Sequence, residues 1–322
     1  MKMKKDLTTG NVFQTILYFA LPYLLSYFLQ TLYGMADLYI IGQFNGVAAT
    51  TAVSIGSQVM HMLTVIIVGL AMGTTVTVGR DIGAKKTDEA SLAIGNTVTL
   101  FMIVSVVFTL GLLLLLKPIV ALISTPQEAV QGTIQYLFVC FIGIPFITAY
   151  NIISSIFRGL GDSKSPMYFV AVACVANIGL DYLFIGVMSM GPVGAALGTT
   201  LAQTISVAIS LIAIHKKQIG VHLTKKDFKP QVSVMKMLLS IGVPVALQDG
   251  FIQVAFIVIT IIANQRGLNP AAAVGIVEKF ISAAFIVPSS MLATVSALAA
   301  QNIGADKHDL SLIHISEPTR LG

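Results

Sequence analysis

Eight stretches of this chain are long and apolar enough to cross a lipid bilayer, and that property alone removes most folds from consideration. The runs cover 17–41, 48–78, 90–116, 134–157, 167–187, 194–214, 237–263 and 270–299. In hydrocarbon every backbone N–H and C=O must be paired inside the segment, so runs of this length predict helices. The chain therefore reads as an all-α, polytopic helical membrane protein. Only 10% of its residues are charged, against 56% hydrophobic, and the mean hydropathy is +0.88. Pro22, Pro145, Pro244 and Pro288 lie in or beside the runs, where membrane helices tolerate them if neighbours or water take up the freed backbone groups.

A formal net charge of +5 raises nucleic acid as a partner, but the placement of the charges argues against it. Lys2, Lys4, Lys5, Arg80, Lys85, Lys86, Arg158, Lys164, Lys216, Lys217, Lys225, Lys226, Lys229, Lys236 and Lys307 all fall on one side of the alternating runs, and Lys117 and Arg266 on the other. This asymmetry predicts a cytoplasmic N-terminus, a multi-pass protein of the plasma (inner) membrane, and the lipid bilayer rather than nucleic acid as its surroundings. Cys140 and Cys174 lie inside apolar runs and form no CxxC pair, which speaks against a disulfide framework or a metal site. No phosphate-binding glycine loop, HExxH or nucleophile elbow occurs in a fitting context, so an enzyme is not expected and no cofactor is implied.

The fifth run, MYFVAVACVANIGLDYLFIGV, carries Asn177 and Asp181. Four residues apart, they share one helix face, and an acid inside the membrane marks an ion or substrate path more often than a packing clamp. Depth extends the pattern. With 1.5 Å of rise per residue, Asp37 lies about 6 Å below the outer end of the first run, Asp181 about 9 Å down the fifth and Thr199 about 8 Å down the sixth. These side chains share a layer in the outer half, with Asn177 one turn beneath.

The chain also repeats itself. LPYLLSYFLQTLYGMADLYIIGQFNGVAATTAVSIG, from Leu21, is echoed by VPVALQDGFIQVAFIVITIIANQRGLNPAAAVGIV, from Val243, and RDIGAKK (80–86) is matched by QNIGADK (301–307). Pro22 pairs with Pro244, Gln43 with Gln265 and Asp37 with Ile259. Both copies start on the same side, so the repeats are parallel. The basic stretch 215–236 links residues 1–214 to 237–309.

With the motifs MADLYIIGQFNGVAA, GTTVTVGRDIGAKK, SIFRGLGDSKSPM, NIGLDYLFI and GPVGAALGTTLAQ, the chain resembles the MATE family of multidrug and toxic compound extrusion antiporters over residues 1–309. The resemblance implies two lobes around a central cavity, the six-helix first lobe complete in 1–214 and the second begun by two helices in 237–309. It implies export of a small amphiphilic or cationic molecule in exchange for H⁺ or Na⁺, by a monomer. It also implies that Asp37, Asn177, Asp181 and Thr199 form the coupling-ion site, as an oxygen cage for Na⁺ or as carboxylates sharing a proton. Two rivals stand beside this reading: a lipid-linked saccharide flippase of the same superfamily, which would line its cavity with Arg or Lys, and a membrane-embedded enzyme, which would need clustered His and acids.

Glu278, within the eighth run, is a candidate cavity residue of the second lobe, and His61 reads as a hydrogen-bonded structural histidine. Gly69 with Gly73 and Gly194 with Gly198 make small-xxx-small pairs suited to close helix packing. The tail 310–322, LSLIHISEPTRLG, reads as adapter-derived and non-native, and its His314 and Glu317 as no site.

Overall fold

The computed structural model describes residues 8, 11–217, 220–265 and 268–308. Each apolar run becomes one helix: α1 (Val12–Phe44), α2 (Val47–Gly83), α3 (Thr87–Leu122), α4 (Gln127–Gly159), α5 (Lys164–Asp181), α6 (Gly191–Lys217), α7 (Val232–Gln265) and α8 (Leu268–Gly304). All eight are long and apolar enough to span a membrane, and the chain is a multi-pass membrane protein. The helices outrun the apolar stretches because polar residues finish their ends. Asn11 caps α1 by accepting from the Gln14 N–H at 3.2 Å. Asp88 and Glu89 stand in the first turn of α3, and Arg80 and Arg158 in the last turns of α2 and α4, each on the favourable side of the helix dipole.

α2 and α4 form the spine. Val53, Val59, Met60 and Leu63 of α2 bury against Leu137, Phe141 and Ile144 of α4 at the far end, away from the chain's start. Ala71 and Val78 meet Ile153, Ile156 and Phe157 nearer that start. Apolar burial does not separate helix from lipid, so short polar bridges fix the register. Thr75 donates to the Ser155 carbonyl at 3.2 Å, Thr74 and Thr97 share a hydrogen bond at 3.2 Å, and Ser206 donates to the Phe169 carbonyl at 3.0 Å. α3 turns Ile103, Val107, Leu110 and Leu114 outward, as a lipid-facing helix does.

The repeat recurs in space. A Cβ on Gly83 would meet the Gln301 backbone, and one on Gly304 would meet that of Arg80, so the RDIG and QNIG copies cross by presenting glycine to each other. Further along, Gly69 and Gly73 of α2 face Ala246, Gly242 and Leu238 of α7, as close packing requires, while Gly250 meets Ile66 loosely at 3.6 Å. Phe19 and Tyr23 of α1 bury against Ala293, Ala297 and Leu298 of α8. Gln301 donates to the Gly159 carbonyl at 2.8 Å, and Lys307 to the Thr8 carbonyl at 2.6 Å. Among the described residues, these close approaches between the first six helices and the last two lie in the half of the bundle that holds the chain's start.

The segment before α7 is fastened to α3. Asn96 of α3, fully buried, donates to the Asp227 carbonyl at 3.1 Å and accepts from the Gln231 N–H at 2.7 Å, and Thr99 donates to the Phe228 carbonyl at 2.8 Å. A side chain on Gly95 would strike the Asp227 backbone, so glycine is needed for this approach.

Candidate functional site

α1, α5 and α6 bring together the four polar residues expected to share a layer. Asp37 is 4% exposed, Asn177 1% and Asp181 0%. The Thr199 hydroxyl donates to Asp37 Oδ2 at 3.3 Å. Asn177 and Asp181 stand close enough to Asp37 to interact with it. Even so, Asp37 Oδ1, both Asp181 oxygens and both polar atoms of the Asn177 amide have no hydrogen-bonding partner of proper geometry. Such atoms are costly to bury, and two adjacent carboxylates more so unless a cation or a proton lies between them. The donor set, two carboxylates with an amide and a hydroxyl oxygen, suits a hard monovalent cation and equally a shared proton.

Two local features make the approach possible. Gly198 of α6 faces Asp181 Oδ1, and a Cβ there would occupy the carboxylate's place. Gly198 thus admits a functional group as well as a neighbouring helix. Directly after Asp181 the helix widens into a π turn, Tyr182–Val187, in which the Met188 N–H reaches the Leu183 carbonyl five residues back at 2.9 Å. π segments of this kind are frequent at functional sites. Here the turn re-aims the end of α5 so that Ile185 is buried while Tyr182 and Val187 face outward.

The other candidates lie elsewhere. Glu278 is on α8, and its side chain is outside the described residues, as is the segment 309–322. His61 is exposed on α2, without a hydrogen bond to another described residue, which corrects the expectation of a bonded structural histidine: its face of α2 is turned from the α4 spine.

Two charged residues went unremarked as site candidates. Asp249 is half-buried midway along α7, beside the loose Gly250 contact and within electrostatic reach of Tyr27. It occupies the repeat position of Tyr27, and its signal was the one that marked Asp181, an acid inside an apolar run. Arg158, read from sequence as a loop cation, is instead buried in the last turn of α4. Its Nε donates to the Ser154 carbonyl at 3.1 Å, and its guanidinium lies 5.4 Å from the Tyr23 ring centre.

A family model described as MatE matches residues 22–183, half of the chain, including Asp37, Asn177 and Asp181. The chain belongs to the MatE family. It is 30% identical over 299 residues to the probable multidrug resistance protein YpnP of Bacillus subtilis, covering 93% of this chain and 67% of that protein. To YoeA of the same organism, also named a probable multidrug resistance protein, it is 27% identical over 306 residues, 93% of this chain and 66% of the relative. The chain thus spans about two thirds of the length of these relatives. A MOP superfamily transporter from Pyrococcus furiosus, described as having a binding pocket of reversed polarity that suggests a different function, superposes with a TM-score of 0.88 at 24% identity, over 98% of this chain and 70% of its own. A MATE crystal structure in the bent conformation gives 0.89 at 24% identity, over 97% and 70%. At that identity the likeness shows the fold, a MATE-type all-helical bundle.

Proposed function

We propose that this chain supplies the first lobe, and the first two helices of the second, of a secondary antiporter that exports amphiphilic or cationic small molecules in exchange for H⁺ or Na⁺. The observation that carries the reading is the buried Asp37, Asn177, Asp181 and Thr199 cluster with its unpartnered oxygens. The multidrug resistance names of the relatives support the substrate class. In this reading the N-terminus is cytoplasmic in the inner membrane, following the charge asymmetry, and the far end that holds the cluster faces outward. Additional helices, filling the remaining third of the relatives' length, would complete the second lobe, and Glu278 would face the shared cavity.

The chemistry is an exchange of charge compensation. A proton or Na⁺ arriving from outside takes up one of the two negative charges of the carboxylate pair, and the loaded protein returns inward. Once the ion leaves, the bare pair favours a cationic substrate from the cytoplasm, so each cargo is carried only when the other has gone. Arg158 is engaged by Tyr23 and by its own helix, so it is not the free cavity cation that the flippase reading requires.

The test is efflux from membrane vesicles under an imposed pH or Na⁺ gradient, using the full-length product of the gene. Asp37→Asn and Asp181→Asn should each abolish gradient-driven export with membrane levels unchanged, and Glu278→Gln should be milder. Transport at the unmodified rate in the Asp37→Asn, Asp181→Asn double variant would overturn the assignment.

A further inference from the structure

The linker is more than a tether, because its fastening to α3 fixes its height against the bilayer. The exposed Lys117 marks the far end of the α3 apolar run. Counting back about 20 residues, the roughly 30 Å of a hydrocarbon core, reaches Thr97. Asn96 and Thr99, which grip the linker through Asp227, Phe228 and Gln231, flank that position. The strap of residues 221–231 therefore lies at headgroup level, with Val221 buried in the first-lobe core at one end and Gln231 pinned at the other.

At that height the strap shows a particular surface. Lys225, Lys226 and Lys229 are exposed and have no ion pair among the described residues. Phe228 among them is 38% exposed, and Leu223 36%. The one acid of the segment is turned to internal use: Asp227 Oδ2 accepts from the Thr224 N–H at 2.6 Å and from the Thr224 hydroxyl at 2.8 Å. Cations with an aromatic between them, held rigidly where phosphates lie, match an acidic lipid surface in charge and in polarity.

We propose that the 221–231 strap is a docking surface for the headgroups of anionic phospholipids in the adjoining leaflet, with Lys225, Lys226 and Lys229 meeting the phosphates and Phe228 seated against the upper acyl carbons. Because the strap is bonded to α3 and runs directly into α7, lipid held there touches the junction between the lobes. The inference stands on the membrane fold and is independent of what the protein transports.

The chain contains no tryptophan, so Phe228→Trp introduces a single fluorescent reporter. The chain would be reconstituted in phosphatidylcholine vesicles containing equal fractions of either brominated phosphatidylglycerol or brominated phosphatidylcholine. The anionic quencher should act about three-fold or more strongly than the neutral one at low salt, and the preference should shrink at high salt as screening shortens the reach of the lysines. Replacing all three lysines with Gln should remove the preference, and replacing them with Arg should keep it, which separates charge from any loss of fold. Equal quenching by the two lipids, no quenching by either, or a preference that survives the Gln replacement would each overturn the proposal.

Discussion

α1 and α7 are copies of one another, and they hide polarity at different heights. α1 buries Asp37 against α5 and α6, whereas the matching residue of α7, Ile259, is 48% exposed. Lower down the roles reverse, with Tyr27 on α1 and Asp249 on α7 at the same repeat position and within electrostatic reach of each other. The two copies share the glycines of RDIG and QNIG, by which α2 and α8 cross, and differ in where their charges lie. What makes an acid tolerable is thus its company, which for Asp37 is Asn177, Asp181 and Thr199, rather than its place in the repeat.

The sharpest way to break the comparison is to spoil the shared crossing. Gly83→Leu drives a side chain into the Gln301 backbone and should cost about 3 kcal/mol or more. Gly250→Leu, at the loose contact, should cost under about 1 kcal/mol, and unfolding midpoints in detergent would tell the two apart. If both were equally mild, the repeated glycines would not be the joint between α2 and α8.

Moving the acid tests whether company matters. Ile259→Asp puts a carboxylate where the first copy has one but without its partners, and should disfavour membrane insertion by roughly 2.5–3.5 kcal/mol while creating no second cation site. Glycosylation-reporter insertion assays would give the first quantity. Cation-dependent thermal stabilisation in the Asp37→Asn background would reveal the second, and its appearance would mean that repeat position alone makes a site.

Gly198→Ala sharpens the Asp37 side. The added methyl group displaces Asp181, so stability should fall by about 1–3 kcal/mol and cation-dependent stabilisation should weaken. Gly179→Ala, with open space around its Cβ, should change neither.

The most local expected effect is in residues 224–231, which have no counterpart in the repeat. Asn96→Ala leaves the Asp227 carbonyl and the Gln231 N–H without a partner and should cost about 1–3 kcal/mol. The loss should be confined to residues 224–231, as faster backbone hydrogen exchange there. Local pH dependence follows from Asp227, whose carboxyl the Thr224 N–H and hydroxyl hold below the usual carboxylate range. Its contribution is present above an ordinary aspartate pKa of about 3.9 and is lost as the pH falls through the lower folded value, so exchange in the strap should stay slow at mildly acidic pH.

The helices were legible because membrane length and apolarity leave the backbone no alternative, and the Asp37 layer could be drawn because depth follows from residue count. Lateral position was not legible. Nothing in the spacing of Asp37 and Thr199 says that α1 and α6 are neighbours; that depends on how α5 packs between them. Gly198 looked like a packing residue because a string of letters does not show which atom fills the space a glycine leaves. Asp249 carried the same mark as Asp181 and was eclipsed by the alignment of Asp37 with Ile259, which shows no acid at that one position of the second copy.

The π turn after Asp181 has a consequence for anyone comparing related chains. A residue inserted into a helix acts as a phase shift: the backbone keeps its direction while every later side chain rotates out of step with an uninterrupted α-helix. Residues 182–187 therefore cannot be assigned a lipid or cavity face by extrapolating the periodicity of Lys164–Asp181, and an alignment that pads α5 with one gap in the wrong place will misplace that end of the helix by a quarter turn or more. In this protein the angular ruler has to be set to zero again at the acid itself.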